Sequence, residues 1–439
     1  MTDLSKRIAA LSPAKRALLM LQLAKQGIAH RFGPSDVMTV EDMSAEAQLD
    51  PAIDPQLARG PDRGEPTTIF LTGATGFVGA FLLDELLRQT RATIYCLVRA
   101  SQPNEARERI RKNLTSYSLL NGEQSSRVVP IVGDLSQPGF GLSPSEMDLM
   151  SDRVDVVYHC GALVKWTYPY AALKGSNVLG TQEILRLACR TKIKPVHFIS
   201  TIGVFSSPAF AAEVVREDDS LESSGPLFVG YAQSKWIAEK LVTVARSRGL
   251  PVGIYRPGTG GHSETGAFNE ADHNCRLIKG CIELGSAPDL DLLLQIAPVD
   301  YVIQTLVYLS RREESFGKTF HLVNPRPLPW KELVTWTREF GYPLQDVSFE
   351  EWRTQVLAQV ASSQASALYA LSPFLSDSIL DFAKLPRFDC RQTLDALAGT
   401  SLTCPPLDSE LLRTYFSAFI RGGFLQAPVT SPPPGNASP

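Results

Sequence analysis

The sequence predicts an α/β fold, a doubly wound parallel sheet followed by a smaller, mostly helical domain. Three observations carry this expectation. Short β-type apolar runs alternate with helical stretches from Thr67 to about Pro257, a glycine-rich turn follows the first run, and the alternation fades after Pro257. Strands alternating with helices imply a parallel sheet covered on both faces.

Residues 1–66 read as an appendage. Ser12-Pro13 supplies a helix cap and a first-turn proline, and Leu18, Leu19, Leu21 and Leu23 follow among Lys15, Arg16 and Lys25. The expected amphipathic helix either covers the main body or docks a partner. Prolines, glycines and acids from Gly33 to Pro66 suggest a linker or loosely packed arm. Residues 67–260 form the expected nucleotide-binding domain. Its strands are predicted at Thr68–Thr72, Thr93–Val98, Val128–Val132, Val154–Tyr158, Val196–Ser200 and Val252–Tyr255, with the first helix around Phe81–Leu87. Residues 261–426 are assigned to a substrate-side domain partly interleaved with the first. Helices are expected there around Trp330–Phe340 and near Glu410–Ile420. Residues 427–439, rich in Pro, Ser and Gly, are expected to be disordered.

Bulk properties narrow the function. The net charge of −3 argues against a general nucleic-acid or anionic-membrane surface. No apolar run approaches the ~18–20 residues that span a bilayer, and the N-terminus lacks a signal-peptide hydrophobic block. The expectation is a cytoplasmic protein with a monomer favoured, and Met1 and the arm lean towards a free-standing one. Seven scattered cysteines with no Cys-x-x-Cys spacing support neither a disulfide framework nor a zinc site. Cys275 and Cys281 are disfavoured as thiol nucleophiles, and no metal site is expected.

Gly73-Ala74-Thr75-Gly76-Phe77-Val78-Gly79 lies between the first strand and the first helix. Glycines there let the backbone approach a pyrophosphate, whose charge the helix N-terminus stabilises, so the sheet is of Rossmann type. The second strand ends in Cys96-Leu97-Val98-Arg99, without the acid that usually holds the ribose hydroxyls of NAD. A guanidinium pairs with a 2′-phosphate instead, which favours NADPH. Arg109 is a second candidate for that phosphate, or equally a solvated helix-face charge. Gly133-Asp134-Leu135 follows the third strand, where an aspartate accepts from an adenine amino group. His159-Cys160-Gly161-Ala162 follows the fourth, where small residues let the chain pass close to a cofactor.

Tyr231-Ala232-Gln233-Ser234-Lys235 places a phenol and an ammonium four residues apart, on one helix face. The ammonium is expected to lower the phenol's pKa from its usual ~10 and to make the pair a general acid. Phe198-Ile199-Ser200-Thr201 ends a strand in hydroxyls upstream, with Thr201 the first choice to hold a substrate carbonyl and Ser200 the alternative. Arg256-Pro257-Gly258 follows the next strand. The expected cofactor contacts are Gly73, Thr75, Gly76, Phe77, Val78, Gly79, Arg99, Arg109, Asp134, Leu135, His159, Gly161, Ala162, Tyr231, Lys235, Pro257 and Gly258.

With these elements in this order, the sequence resembles the extended short-chain dehydrogenases/reductases. More narrowly it is similar to the thioester reductase domains that end nonribosomal peptide and polyketide assembly lines, relatives of carboxylic acid reductase and aminoadipate reductase. The narrower likeness rests on Tyr255-Arg256-Pro257-Gly258 with Gly261-His262-Ser263, Leu277-Ile278-Lys279-Gly280-Cys281, Ala297-Pro298-Val299-Asp300-Tyr301, Phe388-Asp389-Cys390 and Cys404-Pro405-Pro406. It runs from about Leu49 to Leu425. The resemblance implies Thr201, Tyr231 and Lys235 as a catalytic triad and NADPH as cofactor. It implies as substrate an acyl or peptidyl thioester on the phosphopantetheine arm of a carrier protein, released as an aldehyde or reduced further to the alcohol. A fatty acyl-CoA reductase shares that chemistry. A nucleotide-sugar epimerase or dehydratase shares the turn and the Tyr/Lys pair, but Arg99 and the C-terminal segments count against it.

Overall fold

The computed structural model describes residues 37–62, 64–119, 124–207, 214–362, 367–368 and 386–428. The helix expected after Ser12 and most of the C-terminal tail lie outside these residues.

Seven parallel strands form one sheet. After a short helix α1 (Val40–Glu46), β1 (Thr68–Thr72) leads into α2 (Phe77–Gln89), β2 (Thr93–Val98) into α3 (Pro103–Ser116), and β3 (Val128–Val132) into α4 (Pro144–Arg153). β4 (Val156–His159) is followed by α5 (Tyr170–Lys174), a wider turn at Gly175–Leu179, and α6 (Gly180–Ala188). β5 (Val196–Ile199) precedes the long α7 (Gly230–Ser247), which returns to β6 (Val252–Pro257). These strands are runs of Val, Ile, Phe and Tyr because both faces are covered, and β4 and β5 are buried at every position.

The alternation does not end at Pro257, which corrects the reading from sequence. An insertion carrying α8 (His273–Leu284) is followed by α9 (Val299–Ser310) and β7 (Thr319–Leu322), which adds a seventh strand beside β6. α9 packs on α2. The strand order is β7-β6-β5-β4-β1-β2-β3. Its direction of winding reverses between β1 and β4, so a crevice opens above their C-terminal ends.

Among the described residues, α10 (Trp330–Phe340), α11 (Phe349–Ser362), α12 (Arg391–Ala396) and α13 (Ser409–Arg421) follow. α8, α10, α11 and α13 share a separate apolar core that includes Trp330, Trp352, Phe416 and Phe419.

The segment from Met38 to Ala58, within the stretch expected as a linker or loosely packed arm, is packed into the body. Met43 and Ile53 are fully buried in the sheet body's core. The Met38 backbone pairs with Leu227, while Glu46 accepts from Tyr170 and Lys174 at 2.8 and 2.6 Å. Arg248 donates to the carbonyls of Asp50 and Ile53 at 3.0 and 2.8 Å. These partners lie more than a hundred residues away, so no local pattern announces them.

Candidate active site

The glycine turn is built for close approach. Gly73 has φ +86°, and a Cβ there would meet Gly161 N at 2.8 Å. A Cβ on Gly79 would lie 2.0 Å from Gly73 O, so the first turn of α2 can sit against the loop only as glycine. Gly76 caps α2 without a side-chain hydrogen bond, which leaves the first-turn N–H groups for an anion. Asn113, which sequence reasoning missed, braces the turn by donating to Ala74 O and Gly76 O, both at 3.1 Å.

This cradle opens into a cavity of about 670 Å³. Gly73, Thr75, Gly76, Phe77, Val78, Gly79, Arg99, Asp134, Leu135, Gly161, Ala162, Thr201, Tyr231, Lys235, Pro257 and Gly258 all line it. One Asp134 oxygen accepts from Ser136 N and Oγ at 2.8 and 2.9 Å, which orients the carboxylate at the β3 end.

Two expected contacts stand elsewhere. His159 is buried behind the wall, bonded to Thr72 Oγ1 at 2.8 Å and Thr181 Oγ1 at 3.0 Å. Burial, helped by Lys235, pushes its pKa down to about 3, so the ring is neutral. Its part is indirect, since Thr72 Oγ1 in turn accepts from Gly161 N at 2.9 Å. Arg109 is outside the lining and donates to the backbone carbonyl of Arg99. It shapes the arginine's position more directly than it meets a ligand.

Tyr231 and Lys235 lie in the first two turns of α7 and are both buried. The Tyr231 ring packs on Trp166 at 5.5 Å between centroids. Lys235 Nζ donates to Ile199 O at 2.8 Å and sits 4.1 Å above the Phe198 ring. Burial pushes the Tyr231 phenol well above its ordinary range. The expected lowering by the ammonium is therefore reversed in this structure, because desolvation of the phenolate outweighs a cation engaged by a carbonyl. The phenol is thereby held in its neutral form. Burial likewise pushes Lys235 down to about 8, opposed by Cys160 and Glu239.

Of the two hydroxyls left open by the sequence, Ser200 donates to Glu239. Thr201 accepts from Gly203 N at 3.1 Å, a bond that does not use its own O–H proton. Glu239 belongs to a buried chain of polar groups unseen in the sequence. It accepts from Arg256 Nε and Nη2 at 3.0 and 2.6 Å, and Arg256 Nη1 meets His321 Nε2 at 3.1 Å. Asn177, in the wider turn after α5, donates to Ser234 Oγ at 2.9 Å and accepts from Leu163 N at 2.7 Å. It ties the loop after β4 to α7. Only a widened turn at a functional crevice could have hinted at it.

Burial raises the Cys275 and Cys281 thiols far above the range of a usable thiolate. Among the described residues no cluster of His, Cys, Asp and Glu could hold a metal, and no helix is long and apolar enough to cross a membrane.

The family described as Male sterility protein matches residues 71–306, more than half of the chain. The chain belongs to this family. Within it the reductase is of the terminal reductase (R) domain type, with the extended short-chain dehydrogenase/reductase fold. It is similar to the terminal R domain of the myxalamid PKS-NRPS pathway, with 47% identity and a TM-score of 0.84, covering 89% of this chain and 99% of that one. A linear gramicidin synthase polypeptide of Brevibacillus parabrevis is 42% identical over 412 residues, which are 92% of the reductase and 8% of that protein. The L-2-aminoadipate reductase large subunit of Penicillium chrysogenum is 33% identical over 414 residues, 87% of the reductase and 29% of that protein. The reductase thus spans a small share of these curated relatives. Family and structural neighbours assign its crevice to a nicotinamide cofactor, and the glycine cradle, closed to a side chain at Gly73 and Gly79, fits that group's pyrophosphate.

Proposed function

We propose that the chain uses NADPH to reduce an acyl or peptidyl thioester held on a carrier protein's phosphopantetheine arm, releasing an aldehyde. The observation that carries this reading is that the Tyr231 and Thr201 side chains line the same cavity as the glycine cradle. The bound nicotinamide would supply a hydride to the thioester carbonyl carbon. The Thr201 hydroxyl holds the carbonyl oxygen and the neutral Tyr231 phenol gives it a proton. Lys235, anchored on Ile199 O, offers its remaining N–H donors to the ribose and offsets the charge left on the phenol. The resulting hemithioacetal breaks its C–S bond, and the carrier thiol leaves with a proton. A thiolate leaves readily, so no further nucleophile is called for.

Supporting the phosphorylated cofactor, Arg99 lines the cavity at the end of β2. Arg99→Ala is expected to raise the Kd for NADPH about tenfold or more while NADH changes little, as measured by fluorescence titration. Equal changes would remove Arg99 from the 2′-phosphate. Lys235 gives a pH signature. Its folded value lies below the ordinary 10.5, so the ammonium is present below about pH 8 and lost above it. Profiles of kcat/KM are expected to be flat below that point and to fall as pH rises through it.

The decisive experiment is incubation with NADPH and carrier-loaded thioesters, followed by mass identification of the released product. An aldehyde supports the reading, and free acid or no release refutes it. Coenzyme A thioesters run in parallel separate a carrier-dependent enzyme from an acyl-CoA reductase. The reading places the reaction in the cytoplasm, where carrier and NADPH meet.

A further inference from the structure

The cavity does not stop at Tyr231 and Thr201. It continues into the C-terminal helical layer, where Leu277, Leu290, Leu292, Leu293, Phe349 and Trp352 line it. Phe349 and Trp352 belong to that layer's core, whereas the four leucines are only partly buried. Their remaining apolar surface faces a space continuous with the reaction site. Apolar surface gathered inside a concave site marks where an apolar ligand removes it from water.

Charge is distributed unevenly along the same space. Arg99 and Asp134 lie at the cofactor end, and Lys235 is held by Ile199 O. Among the described residues, no Lys, Arg or Glu lines the helical-layer side. Asp272 does, but its carboxylate caps α8, accepting from Asn274 N at 2.8 Å and Cys275 N at 3.2 Å. His273 beside it has 46% of its side chain exposed. An anionic group carried on the acyl chain would lose its water there and find no cation, and an ammonium would meet only the single Asp272 carboxylate, already engaged in capping α8.

From this we infer that the substrate's acyl part is an uncharged, apolar chain of several carbons beyond the thioester carbonyl, seated between α8 and α11. Leu277 and its neighbours are the specificity-determining residues. The inference rests on the thioester-reducing reading above and adds to it the chemical class of the acyl group.

Pantetheine thioesters of acetate, octanoate, 8-aminooctanoate and octanedioate (one end free) provide the test. Burial of each methylene contributes roughly three- to fourfold. The octanoyl thioester is therefore expected to exceed acetyl in kcat/KM by about 100-fold or more, and either charged chain to fall about tenfold or more below octanoyl. Leu277→Asp is expected to lower the octanoyl-to-acetyl ratio about tenfold. Octyl pantetheine thioether, which cannot be reduced, is expected to bind calorimetrically with the same preference over its ω-carboxylate counterpart. Equal turnover of octanoyl and charged chains, or of octanoyl and acetyl, overturns the inference while leaving the reaction intact. Selective thioether binding with no thioester turnover overturns the reaction and keeps the apolar pocket. Absence of both overturns the two together.

Discussion

Tyr231→Phe is expected to lower kcat for thioester reduction by about 10³-fold, within the ~10²–10⁴ range of a positioned general acid. The substitution removes one oxygen from a buried ring that packs on Trp166, so the fold and the cavity walls remain. Cofactor affinity, read by fluorescence titration, is expected to stay within about tenfold, since the change is one hydrogen bond or less. The size of the effect follows from the loss of the only proton that the side chain could give, and burial keeps the parent phenol in its protonated form. At neutral pH almost every molecule holds the proton to be transferred. Turnover within tenfold of the parent would transfer the role to Thr201 or to water.

Glu239→Ala is expected to give the largest loss of stability. Arg256 is 3% exposed and Glu239 1%, and both guanidinium contacts of Arg256 to Glu239 are short and buried. Removing the carboxylate leaves a buried cation beside a neutral site and takes away the acceptor of Ser200. Loss of one partner of such a pair costs about 3–5 kcal/mol. Urea unfolding of the variant should show it as a displaced midpoint, with a smaller displacement for Glu239→Gln, whose amide oxygen can still accept. A change below about 1 kcal/mol would show that water or a rearranged His321 compensates the arginine.

Much of the fold was legible because its signals are local. Thr68–Thr72, Thr93–Val98 and Val128–Val132 were expected as strands over the residues they occupy, and Trp330–Phe340 as a helix. Apolar β-type runs, two of them closed by a glycine (Gly73 and Gly133), identify themselves. β7 did not, since Thr319–Leu322 has four residues, two of them polar. Its Thr and His are buried by partners such as Glu217 and Gln392, far away in the chain. The Met38–Ala58 strap failed for a related reason. Its composition is that of a linker, and burial of Met43, Ala47, Leu49 and Ile53 in the sheet body's core, together with hydrogen bonds to distant residues, turns it into structure.

The candidate site divides the same way. Sequence order alone brought together a glycine turn, an arginine at the end of the second strand, a hydroxyl pair, and a phenol and ammonium one helical turn apart. Such spacings are short-range geometry, and covalent structure enforces them wherever the chain folds. Packing decided the rest. It turned His159 away from the cavity and gave Ser200 to Glu239. It raised the phenol that the neighbouring ammonium was expected to lower. Proton affinities and hydrogen-bond allegiances depend on how much water surrounds a group and which distant atoms replace it. Those quantities come into being only when segments remote in sequence close around the site.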